Sequence, residues 1–369
     1  MPLPTDTVPP SDFTPAQTEA ARLMTVCNSC RYCEGLCAVF PAMELHRDFS
    51  AGTLDHLASL CHSCGACYHD CQFAPPHEFS INVPQALARL RTESYARHAW
   101  PAAAGSLIAR GGLTLGLGTV AAIAALFIGL IMWNAPGALL TAGASPKGFY
   151  ALMPHGAMVV LFGLAFFWAL LATAMGARNF WRAAGTPTGL PDHLHAAHDA
   201  ARLTYLDGGG VGCYNADDQP TDRRRLWHHL TFYGFLLCFA ATSVATLYHY
   251  LLGREAPYPW WDLPGLLGIL GGIGLVVGTA GLWQAKSDRL ADLKDPESAG
   301  LDRAFIAVLF LLGLTGLLLR FLGETPVMGP MLALHLGTVL AFFLLLPYSK
   351  MVHGLYRYLA LARYARDKH

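Results

Sequence analysis

The chain has 369 residues, and its 25 Lys and Arg side chains balance its 25 Asp and Glu side chains, so its formal net charge is zero. Hydrophobic residues make up 54% of the sequence and charged residues only 14%, which argues against an ordinary soluble protein of two or three domains. The basic residues follow predicted membrane boundaries and form no single patch, which argues against nucleic acid as a partner.

The first hundred residues predict a domain that stays in the cytosol and is α-helical. The opening stretch MPLPTDTVPPSDF has neither the basic head nor the apolar core of a secretory signal. TPAQTEAARLMTVC resembles a helix, and Leu54, Leu57, Ala58 and Cys61 recur at helical spacing. Residues 1–100 therefore predict a helical ferredoxin-like domain rather than a β-rich one.

Two stretches within this region, CNSCRYCEGLC and CHSCGACYHDC, carry the same cysteine spacing, C-x2-C-x2-C-x3-C. This spacing is typical of [4Fe-4S] clusters, in which three close thiolates bind one cluster and the fourth reaches the neighbouring one. We therefore expect two clusters with exchanged fourth ligands. The first set is Cys27, Cys30, Cys33 and Cys71, and the second is Cys61, Cys64, Cys67 and Cys37.

Zinc and disulfides are the alternatives for these eight cysteines. Zinc sites usually contain two C-x2-C pairs, and a reducing cytosol disfavours disulfides, so both fit the pattern less well. The bacterial pattern has Pro directly after the fourth Cys, whereas Ala38 and Gln72 follow here. This departure bears on the exchange of ligands more than on the presence of clusters.

Residues 101–369 predict a bundle of six transmembrane helices. A bilayer crossing needs about 20 apolar residues, and suitable stretches lie near 111–133, 156–177, 230–252, 263–283, 304–323 and 329–354. With a cytosolic N-terminus, a large loop at 178–226 and the C-terminus are also cytosolic. Every Lys and Arg except Lys147, Arg254 and Arg320 then lies inside, which agrees with the positive-inside rule for an inner (cytoplasmic) membrane protein.

Histidines at the ends of these helices predict b-type haem. His335 and His353 are 18 residues apart on the sixth predicted helix, which places them on one face, about 27 Å apart. On the third helix the helical period favours His228 over His229 as the inner partner of His249. We expect His228 with His353 at the inner side and His249 with His335 at the outer side.

The number of haems remains open between one and two, because His155 is able to replace either outer histidine and single histidines at an interface often bind only water or carbonyls. Six-coordinate iron between two imidazoles suits electron transfer.

Three other patterns give weaker evidence for a functional site. His193, His195, His198 and Cys213 fit no standard zinc spacing, and a solvated helix that ends at DGGG is the better interpretation. That loop lies on the side of the ferredoxin region, where it either covers a cluster or binds a partner. Cys238 is interpreted as a packing residue. The GILGGIGLVVG stretch predicts close helix packing through Gly268, Gly272, Gly274 and Gly278.

The chain resembles the tricarballylate (citrate) utilisation protein B family, and it is similar to the membrane half of a fused flavoprotein in cobalamin synthesis. The resemblance covers nearly the whole chain. The resemblance rests on the doubled cysteine motif and on three further stretches, YLDGGGVGCYN, RRRLWHHLTFYGFLLCFAATSVATLYHYLLG and PYPWWDLPGLLGILGGIGL. It implies two [4Fe-4S] clusters, haem b, and a role in reoxidising the flavin of a separate dehydrogenase that converts tricarballylate to cis-aconitate.

These observations predict a membrane electron-transfer subunit rather than a stand-alone catalyst, because no catalytic acid or base is evident. A soluble FAD-dependent dehydrogenase would deliver electrons to the clusters, which pass them to haem and then to a membrane quinone. Trp260, Trp261 and Arg254 offer an interfacial place for the quinone. Two alternatives are a quinol-oxidising subunit that feeds a cytosolic reductase and a cluster-regulated transporter, although no internal repeats of a transporter are seen.

Overall fold

The computed structural model describes residues 12–144 and 148–368 and confirms a mostly α-helical fold. Most of the opening stretch and Lys147 therefore lie outside the described residues. The α-helices are α1 Pro15–Cys30, α2 Val39–Glu44, α3 Ala51–Leu60, α4 Ala66–His69, α5 Val83–His98, α6 Ala102–Asn134, α7 Ala138–Thr141, α8 Gly148–Leu152, α9 His155–Ala184, α10 Leu190–Arg202, α11 Arg223–Leu252, α12 Leu263–Ser287, α13 Pro296–Phe321, α14 Met328–Leu345 and α15 Val352–Asp367. A two-stranded antiparallel pair, β1 Cys213–Tyr214 and β2 Pro220–Thr221, and four 3-10 turns, at Ala142–Ala144, Gly208–Gly210, Ala291–Leu293 and Leu346–Tyr348, complete the described elements.

The predicted helices around the cysteine motifs are present. α1 begins after Thr14, whose side chain accepts a hydrogen bond from the backbone of Gln17, while the Gln17 side chain accepts one from the backbone of Thr14. This reciprocal pair is a capping box, which satisfies free N–H groups at the helix start. α3 begins after Ser50, whose hydroxyl accepts a hydrogen bond from the backbone N–H of Thr53, and it ends at Leu60, directly before the first cysteine of the second motif.

In the described part of the chain, six helical segments are long and apolar enough to cross a membrane, and they correspond to the six predicted spans. The sixth differs from its prediction, because α14 ends at Leu345 and a 3-10 turn at Leu346–Tyr348 separates it from α15. Pro347 lies in this turn and lacks the N–H that a continuing helix requires. His335 and His353 therefore lie on different helices, and the prediction that places them on one helical face is wrong.

Helices α11 and α12 pack closely through small residues. A Cβ added to Gly278 would lie 2.5 Å from the backbone nitrogen of Thr231, and one added to Gly271 would lie 2.7 Å from that of Cys238. Gly272 packs closely against α13 instead, where an added Cβ would lie 2.8 Å from the Leu317 side chain, whereas Gly268 has only an ordinary contact with Ala241. Close packing is thus confirmed for Gly272, Gly274 and Gly278 but not for Gly268, and Gly234, Gly271 and Gly281 add to it.

The N-terminal helices share a core with the last helix of the chain. Ala360, Leu361, Ala362 and Tyr364 of α15 are buried in the same cluster as Leu23, Leu57 and Leu87. The loop after α12 joins this end through Asp292, which accepts hydrogen bonds from Tyr68 and, at its carbonyl, from Asn82. The cysteine region, the loop after α12 and the C-terminus therefore lie at one end of the bundle, as alternating crossings require. That this end faces the cytosol stays a prediction.

The packing of α11 on α12 gives a test of the bundle. We expect Gly278→Ala to lower the free energy of unfolding by about 1–3 kcal/mol, because the new methyl group meets the backbone of the facing helix. Gly129→Ala on α6 is the control, since a Cβ there meets no atom within 4 Å. Thermal unfolding of the purified protein in detergent measures both, and equal stabilities of the two variants would contradict the close contact.

Candidate functional site

The first group of thiols surrounds a cavity at the surface of the N-terminal region. The cavity has a volume of about 230 Å³ and is lined by Cys27, Cys30, Cys33 and Cys71 together with apolar side chains and the polar Asp70 and Gln72. Cys30 is exposed, and the neighbouring Tyr32 is 73% exposed. The fourth cysteine of the second motif thus joins the first three cysteines of the first motif.

Electrostatic effects among these thiols agree with the shared cavity. Burial raises the pKa of Cys27 to about 12, and Cys33, Cys71 and Cys30 add to the increase because their thiolates would repel its own. Burial likewise raises the pKa of Cys33 to about 12, with Cys71 next in importance. Such repulsion declines with distance, so Cys71 lies close to both. Iron would relieve this repulsion, since thiolates are the form that binds metal.

The second group of thiols is formed by Cys61, Cys64, Cys67 and Cys37. Burial raises the pKa of Cys37, and the next causes are Cys61 and Cys64. Burial also raises the pKa of Cys67, followed by Cys64, Cys37 and Cys61. Cys61 is 7% exposed, so this group reaches deeper into the protein than the first. Cys33 of the first group also contributes to the raised pKa of Cys67, so the two groups are neighbours.

The eight predicted cysteines are therefore brought together in the two predicted sets, and their role as ligands stays a prediction. Among residues 12–144 and 148–368, no three His, Cys, Asp or Glu side chains are grouped as ligands of a single metal ion. Four thiols that each bind a different iron of a four-iron cube surround a volume and do not converge on one point.

The glycine-rich loop after α10 covers the second thiol group. A Cβ on Gly208, which has a φ of +59°, would lie 3.9 Å from the Cys64 sulfur, and the backbone N–H of Tyr214 donates to the Cys64 carbonyl at 2.9 Å. Cys213 is buried beside Cys64. Sequence reasoning offered a covering loop as one possibility but did not place Cys213 there.

Two details of this loop differ from the prediction. α10 ends at Arg202, where Leu203 adopts the left-handed conformation, so the helix does not continue to DGGG. The helix is also not fully solvated, because Ala196 is buried in the N-terminal core. His193 hydrogen bonds with Thr188 and Tyr358 and does not join Cys213.

The predicted inner histidines meet where α11 begins and α15 begins. The ring centroids of His228 and His353 are 5.9 Å apart, with an angle of 78° between the rings. Metal–imidazole bonds of about 2.0–2.1 Å would place two rings on opposite sides of a metal at a centroid separation on the order of 6 Å. The observed separation therefore fits a metal atom between the two rings.

The hydrogen bond of the His353 ring also suits metal binding. Nδ1 of His353 hydrogen bonds with the carbonyl oxygen of Lys350, which fixes the ring and leaves Nε2 for a ligand. Nδ1 of His228 is buried without a hydrogen-bond partner among the described residues. The neighbouring His229 lies instead beside Tyr233, at a centroid distance of 5.9 Å.

The predicted outer histidines have other neighbours. His249 stacks on His155 at a centroid distance of 4.0 Å, which leaves no room for iron between the rings. His335 hydrogen bonds through Nδ1 with the Thr315 hydroxyl at 2.9 Å, and its ring packs against Gly316 of α13. The expected pair of His249 with His335 is therefore not supported, whereas His155 takes the place beside His249.

A group of buried and half-buried cations lies between the thiols and the inner histidines, and sequence reasoning did not single it out. Arg91, Arg224 and Arg357 bind the backbone around Cys61. Burial lowers the pKa of Arg289 to about 10 and Arg224 adds to this, while two of its nitrogens have no partner in the described part of the chain. Asp302, which binds Lys286 and Lys350, is the carboxylate of this group.

This excess of positive charge fits anionic groups on either side. A [4Fe-4S] cluster with four thiolates is an anion, and haem carries two propionates. Buried charges need partners, so these cations would suit anionic cofactors at the two sites. The only sequence signals for this group were the RRR run at 223–225 and the arginine four residues after His353.

Comparison with known proteins agrees with this architecture. Residues 20–97 match the family described as "Citrate utilization protein B Fer4-like domain", and residues 107–369 match "Citrate utilization protein B". The chain belongs to the citrate utilization protein B family. Within this family, it is 47% identical over 358 residues to the Escherichia coli "Citrate utilization protein B", covering 96% of this chain and 94% of that protein. No solved structure matches the chain.

Iron content of two double variants tests the exchange of the fourth cysteine. Cys27→Ser/Cys71→Ser should damage one cluster and keep about four of eight irons, whereas Cys27→Ser/Cys37→Ser should damage both clusters. Each variant lacks two thiols, so the comparison is matched. Iron and sulfide analysis of the protein purified without oxygen measures the difference. If each motif holds its own cluster, the result is reversed.

Proposed function

We propose that this chain is a membrane electron-transfer protein that reoxidises the flavin of a soluble dehydrogenase of the tricarballylate dehydrogenase type. The two thiol groups would bind [4Fe-4S] clusters, and His228 with His353 would bind one haem b. These cofactors supply one-electron carriers. The observation that carries the proposal is the spatial order of the sites, which runs from an exposed cysteine, through a buried thiol group, to two facing histidines.

The gradient of exposure supports entry of electrons at the first thiol group. Cys30 and Tyr32 are accessible to a protein partner, whereas Cys61 is buried near the membrane helices. Burial lowers the pKa of His62, and the next causes include Arg357, Arg224 and His228. His62 follows Cys61 directly, so the second thiol group adjoins the inner histidine pair.

The spacing of the histidine pairs supports one haem rather than two. His228 and His353 have the separation that a bound metal requires, whereas His155 and His249 are stacked in contact. We therefore propose that the outer histidines do not hold a second haem.

A membrane quinone is the proposed acceptor. The reduced flavin gives up two electrons and two protons, and the quinone takes up two electrons and two protons, while the carriers between them pass one electron at a time. Trp260 and Trp261 are 60% and 67% exposed at the outer loop, where aromatic side chains suit a membrane interface. Arg254 in this loop pairs with Asp262.

Direct reduction tests the function. Liposomes that contain this chain and a quinone would receive a flavoprotein dehydrogenase reduced by tricarballylate, and absorption spectroscopy would follow the haem. We expect haem reduction, followed by reoxidation as quinol forms. The Cys27→Ser/Cys71→Ser variant should bind haem and not be reduced. Reduction of haem and flavin by added quinol, with no reaction in the opposite direction, would support the reverse flow instead.

Haem content of histidine variants tests the ligands. We expect His228→Ala and His353→Ala each to remove most of the haem, because a six-coordinate site loses a ligand. His229→Ala is the matched neighbour and His249→Ala the outer control, and both should retain about one haem per chain. Pyridine haemochrome analysis measures the content. Loss of haem from the His229 variant, or of half the haem from the His249 variant, would contradict the assignment.

A further inference from the structure

Two arginines connect the second cysteine loop to the two helices that carry the inner histidines. The Arg224 guanidinium donates to the carbonyls of His62 at 2.9 Å and Ser63 at 3.0 Å. The Arg357 guanidinium donates to the carbonyls of Ser59 at 3.1 Å and Cys61 at 2.8 Å. Each arginine thus binds two carbonyls of the segment that begins the second motif.

The position of each arginine on its helix repeats the position of a histidine. Arg224 precedes His228 by four residues on α11, and Arg357 follows His353 by four residues on α15. Residues four apart on a helix lie on one face, one turn from each other. On each of the two helices, one face therefore carries both the histidine, which lies against the histidine of the other helix, and the arginine, which binds the cysteine loop.

The two guanidinium groups place positive charge beside the thiols. Both side chains are half-buried, and Nη1 of Arg224 also lies 3.9 Å from the Cys213 sulfur. The carbonyls that they bind are uncharged, so these contacts leave the positive charges unneutralised. Charge near a cluster sets its reduction potential, because a reduced cluster carries one more negative charge than an oxidised one.

We propose that Arg224 and Arg357 are positioning residues that hold the second cysteine loop against the inner histidine pair and raise the reduction potential of the second cluster. The inference rests on the proposed function, in which that cluster passes one electron to haem iron. Without the two charges the reduced cluster would be less stable, and without the two pairs of hydrogen bonds the loop would lose its fixed distance from α11 and α15.

Redox titration of Arg224→Gln and Arg357→Gln tests the inference. At a fixed solution potential, we expect the ratio of reduced to oxidised second cluster to fall about tenfold in each variant, because loss of a nearby positive charge weakens the attraction that stabilises the reduced cluster. Electron paramagnetic resonance measures the ratio for both clusters in one sample. The first cluster serves as an internal control and should be unchanged. Arg223→Gln and Arg366→Gln remove the same charge at exposed positions of the same helices and should match the parent protein.

Lysine variants separate charge from position. Arg224→Lys and Arg357→Lys keep the charge but lack the planar guanidinium that reaches two carbonyls. We expect the potential of the second cluster to stay near that of the parent, while hydrogen exchange of the backbone at residues 58–65 becomes faster. If the glutamine variants do not retain the second cluster, its potential is compared between the parent protein and the lysine variants instead. A lysine variant that also loses the cluster would show that these arginines have a structural role only, which would overturn the effect on the potential.

The outcomes distinguish this inference from the proposed function. If the parent protein shows two clusters and haem, yet the glutamine variants leave the second cluster's ratio unchanged, the role of the arginines is overturned and the electron-transfer function stands. If the parent protein holds no clusters, both fall together.

Discussion

The contact between the cysteine loop and the membrane helices is the constraint on which the rest of the structure depends. Arg224 and Arg357 come from helices that are far apart in the sequence, yet they bind carbonyls of the same short segment. Charged donors form stronger hydrogen bonds than neutral ones, and a planar guanidinium reaches two acceptors. This junction fixes the N-terminal domain relative to the bundle, so the two sites are parts of one arrangement.

Local spacing made the cysteine groups predictable. In each motif the first three cysteines are three residues apart, which brings their thiols together independently of the rest of the fold. The fourth cysteine of the second motif, Cys71, lies beside the first motif because α4 and the turns around it place it there. The helical spans were predictable for a similar reason, since about 20 apolar residues satisfy a bilayer regardless of their neighbours.

Tertiary contacts decided what the sequence did not reveal. The face of a helix follows from arithmetic only while the helix continues, and Pro347 ends that continuity between His335 and His353. The inner pair nevertheless forms, because the turn at 346–351 brings α15 back towards α11. The partners of His249 and His335 depend on which helices are adjacent, and no periodicity encodes that choice. Cys213 joined the second thiol group through the same kind of long-range contact.

The shared core of the first and last helices has a consequence for synthesis. Leu23, Leu57 and Leu87 complete their packing against Ala360, Leu361 and Tyr364, which are synthesised only after all of the helices from α6 to α14. The core of the N-terminal domain is therefore incomplete until α15 has been made and has packed against it. Until then the apolar side chains of α1, α3 and α5 that α15 covers lack part of their final packing, so the first region to be synthesised is among the last to reach its folded state.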